Sequence, residues 1–225
     1  MSAPLETRLI TTKDGSHSFF VPHLNEHYHS THGAIQEARH VFIQMGLYAK
    51  QLSHINILEI GFGTGLNAFL TLIETLEANI SVNYTTLELY PLDISKIKKL
   101  NYPQRVGNKK ASKHFMKLHR ATWNKPVEIT TNFVLHKLKS DFSKENTIDT
   151  KFDLIYFDAF APEKQPEMWT QSLFDKLFYL CNKNGVITTY CAKGVVRRMF
   201  EKSGFKVERL PGPPGKREML RCIKE

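Results

Sequence analysis

The 225-residue chain is poor in cysteine, with only Cys181, Cys191 and Cys222. An odd number at wide spacing supplies neither a disulfide framework nor the paired C-x-x-C ligands of a zinc site, so all three read as reduced core residues. No stretch approaches the roughly 18 apolar residues of a membrane helix, and Met1 to Arg8 lack the basic-then-apolar pattern of a signal peptide. A cytoplasmic protein with no membrane partner is expected. Low-complexity tracts, solenoid periods and long runs of like charge are missing too, which speaks against a disordered tail or a repeat architecture.

What is present is ordinary globular composition. A hydrophobic content of 41% is enough for one sizeable core, and residues 1–225 are expected to form a single domain. The formal net charge of +9 raises encounter rates with a polyanion such as nucleic acid, although charge alone identifies no partner.

Residues 7–21 read as two short strands around Lys13-Asp14-Gly15, followed by a polar, His-rich stretch; together 1–33 form a small amino-terminal extension. Apolar residues from Ile35 to Tyr48 recur at three and four, predicting an amphipathic helix over 34–52. Strands are predicted at 55–60, 82–89, 152–157, 185–190, 205–210 and 218–223, with one or two more in 127–138. Helices are predicted at 66–76, 93–100, 111–122, 171–180 and 195–202. The alternation implies parallel βαβ units in a doubly wound α/β sheet, with the last two strands adding an antiparallel hairpin.

Between the strand at 55–60 and its helix lies Glu59-Ile-Gly61-Phe-Gly63-Thr-Gly65-Leu-Asn67. Glycines at a strand's carboxyl end let ligand atoms approach the backbone. The spacing G-x-G-x-G is not the dinucleotide pattern G-x-G-x-x-G, and the acid Glu59 just ahead disfavours a pyrophosphate and suits a cation. Glu88, ending the next strand, is placed to accept hydrogen bonds from ribose hydroxyls. A nucleoside with a positively charged amino-acid tail meets both conditions, which describes S-adenosylmethionine.

Asp158 follows the buried strand 152–157, at the same end of the sheet. A carboxylate there can accept a proton from an amine and orient its lone pair toward a methyl donor, whether as a general base or only as an orienting acceptor; the competing reading is a helix cap. Phe160 and Trp169 are candidate walls for a nucleobase, or core residues.

With these segments in place, the chain resembles the MnmC/MnmD family of tRNA wobble-uridine methyltransferases over nearly its whole length. The resemblance rests on Tyr28-His-Ser-Thr-His-Gly33 with Glu37 and Val41-Phe42, on Glu59 to Asn67, on Phe157-Asp-Ala-Phe-Ala-Pro162 continuing to Pro166-Glu-Met-Trp169, and on Lys216-Arg-Glu-Met-Leu220. It implies a Rossmann-like class I fold with a mostly parallel seven-stranded sheet. It also implies S-adenosyl-L-methionine as cofactor, tRNA as partner, and methylation of the amine of 5-aminomethyl-(2-thio)uridine to 5-methylaminomethyl-(2-thio)uridine. By the same resemblance Asp158 is catalytic, and Glu59, Gly61, Gly63, Gly65, Asn67, Glu88, Asp141 and Tyr28 hold the cofactor, Tyr28 as part of a lid. Phe160, Pro162, Trp169, Lys216 and Arg217 are expected to hold substrate. Bifunctional members carry a flavin-dependent half, so a chain stopping at Glu225 is expected to lack flavin and to depend on a separate enzyme for its aminomethyl substrate.

Lys96, Lys98, Lys99, Arg105, Lys109, Lys110, Lys113 and Lys117 make a basic segment that serves either as a tRNA-phosphate surface or as a solvated helix face. His23, His27, His29 and His32, spaced by four, two and three, match no recognised metal-ligand pattern, and no metal is expected. Three other readings stay open: methylation of a small-molecule or protein amine, an inactive nucleic-acid-binding relative, and a nicotinamide oxidoreductase.

Overall fold

A computed structural model describes residues 6–107 and 110–225. Its centre is an eight-stranded sheet. Five strands run parallel: β4 (His54–Ile60), β5 (Ser81–Leu87), β7 (Phe133–Leu138), β8 (Phe152–Phe157) and β9 (Cys181–Thr189). The remaining strands are antiparallel: β6 (Pro126–Thr130) on one edge, β10 (Lys206–Pro211) and β11 (Glu218–Ile223) on the other. Across the sheet the order is β10-β11-β9-β8-β4-β5-β7-β6. A separate three-stranded sheet is formed by β1 (Arg8–Thr11), β2 (His17–Val21) and β3 (Glu26–His27).

This is the expected α/β fold with its carboxyl-terminal antiparallel hairpin, but with eight strands in place of seven. The extra strand arises because 127–138 folds as two, with β6 doubling back on β7. Pro126 is tolerated there because it begins an edge strand, where a missing N–H leaves no ladder bond unmade.

Central strands such as β8 are buried on both faces, here over residues 154–157, and therefore read as continuous apolar runs. Helices cover the sheet: α1 (Ala34–Ala38), α2 (Leu66–Glu77), α3 (Ile94–Ile97), α4 (Tyr102–Val106), α5 (Ala111–Arg120), α6 (Gln171–Leu180) and α7 (Gly194–Lys202). No described helix is long and apolar enough to cross a membrane.

Two helical expectations are revised. The segment 34–52 is regular only in α1; it widens into a π-helical turn over Arg39–Gln44, with Met45 N donating to His40 O at 3.1 Å. The wider turn lets the consecutive residues Val41, Phe42 and Ile43 all reach the core, which regular helical spacing does not allow. The Lys-rich segment 93–100 keeps one turn, Ile94–Ile97, and a new helix, α4, starts at Tyr102 with Pro103 in its first turn, where no N–H is needed. Asn101, just before it, ties the amino-terminal hairpin to the body: its Oδ1 accepts from His17 N (2.8 Å) and its Nδ2 donates to Gly15 O (2.9 Å).

The chain leaves β4 toward β5 on one side and meets β8 on the other. Where a sheet's order reverses in this way, the loops at the strands' carboxyl ends diverge and open a crevice. The site lies there.

Candidate active site

A cavity of about 620 Å³ opens over the carboxyl ends of β4, β5, β7 and β8, and the segment around Tyr28 to Thr31 forms part of its wall. The glycine loop is built by backbone bonds to neighbouring strands: Gly61 N and Phe62 N both donate to Leu87 O, at 3.0 and 3.2 Å. At Gly61, φ is +94°, and a Cβ would sit 2.7 Å from the Asp158 carbonyl oxygen. Only glycine accommodates both the left-handed backbone and that approach. At Gly63 a Cβ would come within 3.0 Å of the Tyr28 ring, so Tyr28 lies directly against the loop.

Glu88 follows β5 and reaches back to the loop: its Oε2 accepts from Gly63 N (2.9 Å) and its Oε1 from Tyr90 N (2.8 Å). Burial pushes its carboxyl above the usual range, and these backbone bonds oppose the shift. Asp141, after β7, also lines the cavity, with Oδ1 accepting from Ser143 N (2.9 Å) and Ser143 Oγ (2.7 Å).

Asp158 stands opposite. Its backbone N donates to Ile60 O (3.1 Å), and its Oδ2 accepts from Asn67 Nδ2 (2.8 Å) at the start of α2. The two residues are 91 apart in sequence and meet because β4 and β8 are neighbours. Desolvation raises the Asp158 carboxyl to about 7; the Asn67 bond opposes this, Glu37 adds to it, and Lys216 opposes it. A carboxyl titrating near neutrality at the base of a cavity is suited to taking and releasing a proton.

Phe160 packs edge-on to Tyr28 with ring centroids 5.3 Å apart, closing the wall over Asp158. Lys216 reaches the cavity from the turn before β11. Its Nζ pairs with Glu37 Oε1 (2.5 Å) and lies 3.8 Å from the centre of the Tyr190 ring. Lys216→Ala leaves the buried Glu37 carboxylate with its bond from Ser30 N but without its cation, and is expected to cost about 2 kcal/mol of unfolding free energy, the range for one hydrogen bond to a charged group. An unmoved urea midpoint would show that the pair holds nothing together.

Five residues expected at the site do not line the cavity. Glu59 is fully buried beneath the loop, with Oε2 accepting from Thr86 Oγ1 (2.8 Å). Gly65, at φ +69°, begins α2 on the far side of the loop, where a Cβ would strike His119. Trp169 is a core residue: it packs on Phe157 at 5.0 Å and donates from Nε1 to Phe160 O (2.8 Å), so it supports the wall from behind. Pro162 sits just past the lining residues Ala159 to Ala161, and Arg217 is exposed beyond Lys216.

Of the histidines, His23, His27 and His29 line the cavity and His32 does not. His29 Nε2 lies 2.6 Å from Thr64 Oγ1, and burial lowers its pKa to about 4, which keeps it neutral. No cluster of three or more His, Cys, Asp or Glu placed to hold a metal occurs among the described residues. Lys109 lies outside the described residues; none of the other residues of the basic segment lines the cavity. Arg105 donates to Asp14 O, and Lys117 donates to Ile129 O at 2.7 Å, so both are partly committed to the fold.

Tyr190 was missed by sequence reading. Its hydroxyl donates to Ala159 O (2.8 Å), fixing the loop that carries Asp158. The available signal was an aromatic residue immediately after a strand that ends at the crevice. Glu37 and Thr64 lay inside the segments that carried the resemblance, but nothing local gave either a role at the site.

Residues 108–225 match the S-adenosyl-L-methionine-dependent methyltransferase family. The bifunctional tRNA 5-methylaminomethyl-2-thiouridine biosynthesis protein MnmC of Pseudomonas fluorescens is 31% identical over 208 residues, covering 86% of this chain and 31% of its own length. MnmC of Leptospira interrogans is 33% identical over 205 residues, covering 86% and 32%. The chain thus spans about a third of these relatives. The crystal structure of MnmC2 from Aquifex aeolicus superposes with a TM-score of 0.81 at 25% identity, covering 98% of this chain and 71% of that one.

Proposed function

The chain belongs to the S-adenosyl-L-methionine-dependent methyltransferase family, and from that premise we propose that it methylates the exocyclic amine of 5-aminomethyl-(2-thio)uridine at the tRNA wobble position. The observation that carries this reading is Asp158: a carboxylate with a pKa near 7, held by Asn67 in the same cavity as the glycine loop. The names of the MnmC relatives and the +9 charge support tRNA as the carrier of that amine.

The donor set of the cavity suits the cofactor. Gly61 and Gly63 keep their positions free of side chains, Glu88 and Asp141 supply acceptors, and Ile60, Leu66, Leu87 and Phe142 supply apolar wall. The only Lys or Arg residues among the described lining are Lys164 and Lys216, from loops away from the glycine turn, so no cation waits there for a pyrophosphate. We assign Gly61, Gly63, Glu88, Asp141 and Tyr28 to holding the cofactor.

When bound, S-adenosylmethionine supplies an electrophilic methyl group on a sulfonium. Transfer needs a neutral nitrogen lone pair, and a proton must leave the nitrogen as the new N–C bond forms. Asp158 accepts that proton and holds the remaining N–H so that the lone pair is directed. Phe160 and Tyr28 narrow the entrance and exclude water. Lys216, held by Glu37, keeps a positive charge beside Asp158 that favours its ionised form and opposes entry of the amine as an ammonium.

The test is transfer of labelled methyl to tRNA carrying the unmethylated amine, with nucleosides separated by mass. A 5-methylaminomethyl product is expected. Labelled small-molecule or protein amines, with unlabelled tRNA, would replace the tRNA assignment with the other amine class.

A further inference from the structure

Below the cavity floor lies a buried polar group that the reaction above does not use. Glu59 is 0% exposed. Its Oε2 is satisfied by Thr86, but Oε1 has no hydrogen-bond partner, and neither do Asn67 Oδ1 and the Tyr84 hydroxyl. Asn67 and Tyr84 are both electrostatic neighbours of Glu59. In this geometry Asn67 Nδ2 serves Asp158, which leaves Oδ1 in need of a donor.

An ionised Glu59 would bring only acceptors to this spot. Thr86 and Tyr84 can serve the carboxylate, but Asn67 Oδ1 would stay without a donor beside it, an arrangement that buried polar groups avoid. One added proton resolves it: Glu59 donates to Asn67 Oδ1, and Tyr84 donates to Glu59. Burial, reinforced by the Asp158 carboxylate, holds the Glu59 carboxyl well above the usual range, in the same direction.

We propose that Glu59 is a positioning residue: as a carboxylic acid it donates a hydrogen bond to Asn67 Oδ1 and locks the Asn67 amide with Nδ2 facing Asp158. A flipped amide would set Oδ1 against the Asp158 carboxylate and disfavour its ionised form. Glu59 thereby acts on the amine only through Asn67. The inference rests on the reading of Asp158 as proton acceptor, and it replaces a direct role for Glu59 in binding the cofactor's ammonium.

Asp158 is faced by Asn67 from α2, Glu37 from α1, Glu59 from β4, Tyr84 from β5, Lys216 from the turn before β11 and Tyr190 after β9. Only Glu59→Gln separates the two roles, because a glutamine amide still donates to Asn67 Oδ1 but carries no charge. Infrared difference spectra of protein labelled in its glutamate carboxyls, wild type against Glu59→Gln at about pH 8, are expected to show one protonated-carboxyl band lost. Absence of that band overturns the proposal. Glu59→Ala is expected to lower kcat roughly tenfold, the effect of losing one bond to a charged group, and to move the kcat/KM inflection upward from about 7. Glu59→Gln is expected to rescue both.

Calorimetry with S-adenosylmethionine supplies the opposing outcome. Binding weakened roughly tenfold or more in Glu59→Gln, as loss of an ionic contact to the ammonium would give, overturns the proposal. If Glu59→Ala fails to fold, the infrared and Glu59→Gln measurements still decide. An Asp158→Asn protein with unchanged kinetics would refute the reading of Asp158 while leaving the Glu59 band in place, so the two failures are distinguishable.

Discussion

Asp158→Asn is expected to slow methyl transfer to the tRNA amine by about 10²–10⁴-fold, the range that a positioned proton acceptor contributes. Asparagine keeps the shape and can still hydrogen-bond to Asn67, so the loss isolates the proton-accepting function. The pH profile gives the sign. Below a pKa of about 7 the wild-type carboxyl is protonated and cannot accept a proton, so kcat/KM is expected to rise with pH through that value. The raising causes are burial and Glu37, the lowering ones Asn67 and Lys216; Glu59 lies beneath. In Asp158→Asn the inflection is expected to vanish. If it persists in the variant, another group carries it, and Asp158 is an orienting acceptor only.

The same substitution is expected to stabilise the fold. An aspartate at 3.8 in the unfolded chain and about 7 in the folded one makes the folded state hold a proton that the unfolded state lacks between those values. Stability from this group is therefore fully present below 3.8 and is lost as pH rises through about 7. At about 1.4 kcal/mol per pKa unit, the loss comes to roughly 4–5 kcal/mol before water in the cavity trims it. Asp158→Asn is expected to exceed wild type by about 2–4 kcal/mol at about pH 8 and to match it at about pH 4, read from urea unfolding at each pH. A variant less stable than wild type at the higher pH would mean that Asp158 is not held in a desolvated site. Strain of this kind, accepted where a reactive group must be kept poised, is typical of functional sites.

Much of the architecture was legible in the chain itself. The apolar run Ile55–Ile60, the glycines after it and the periodic 66–76 defined a strand, loop and helix whose order no tertiary contact had to supply. Helix 171–180 was predicted at its observed bounds, Gln171–Leu180, because an apolar face at helical spacing is a local property. Elements failed where packing overrode spacing. The π-helical turn at Arg39–Gln44 serves three consecutive core residues, and β6 exists only because β7 offers it an edge.

The candidate site divides along the same line. Sequence by itself determined that Gly61, Gly63, Glu88 and Asp158 all stand at the carboxyl ends of neighbouring strands, since the strand order of a doubly wound sheet brings those ends together. Tertiary structure alone decided which side chains face the cavity. Glu59 lies two residues before Gly61, yet it points beneath the sheet's rim to Thr86, while Trp169 turns inward onto Phe157. It also made the pairs that no local pattern contains: Asn67 with Asp158, and Glu37 with Lys216, 179 residues away. The physical reason is that periodicity and turn chemistry act over a few residues, whereas the direction and partner of a side chain are settled by whatever the folded chain packs against it.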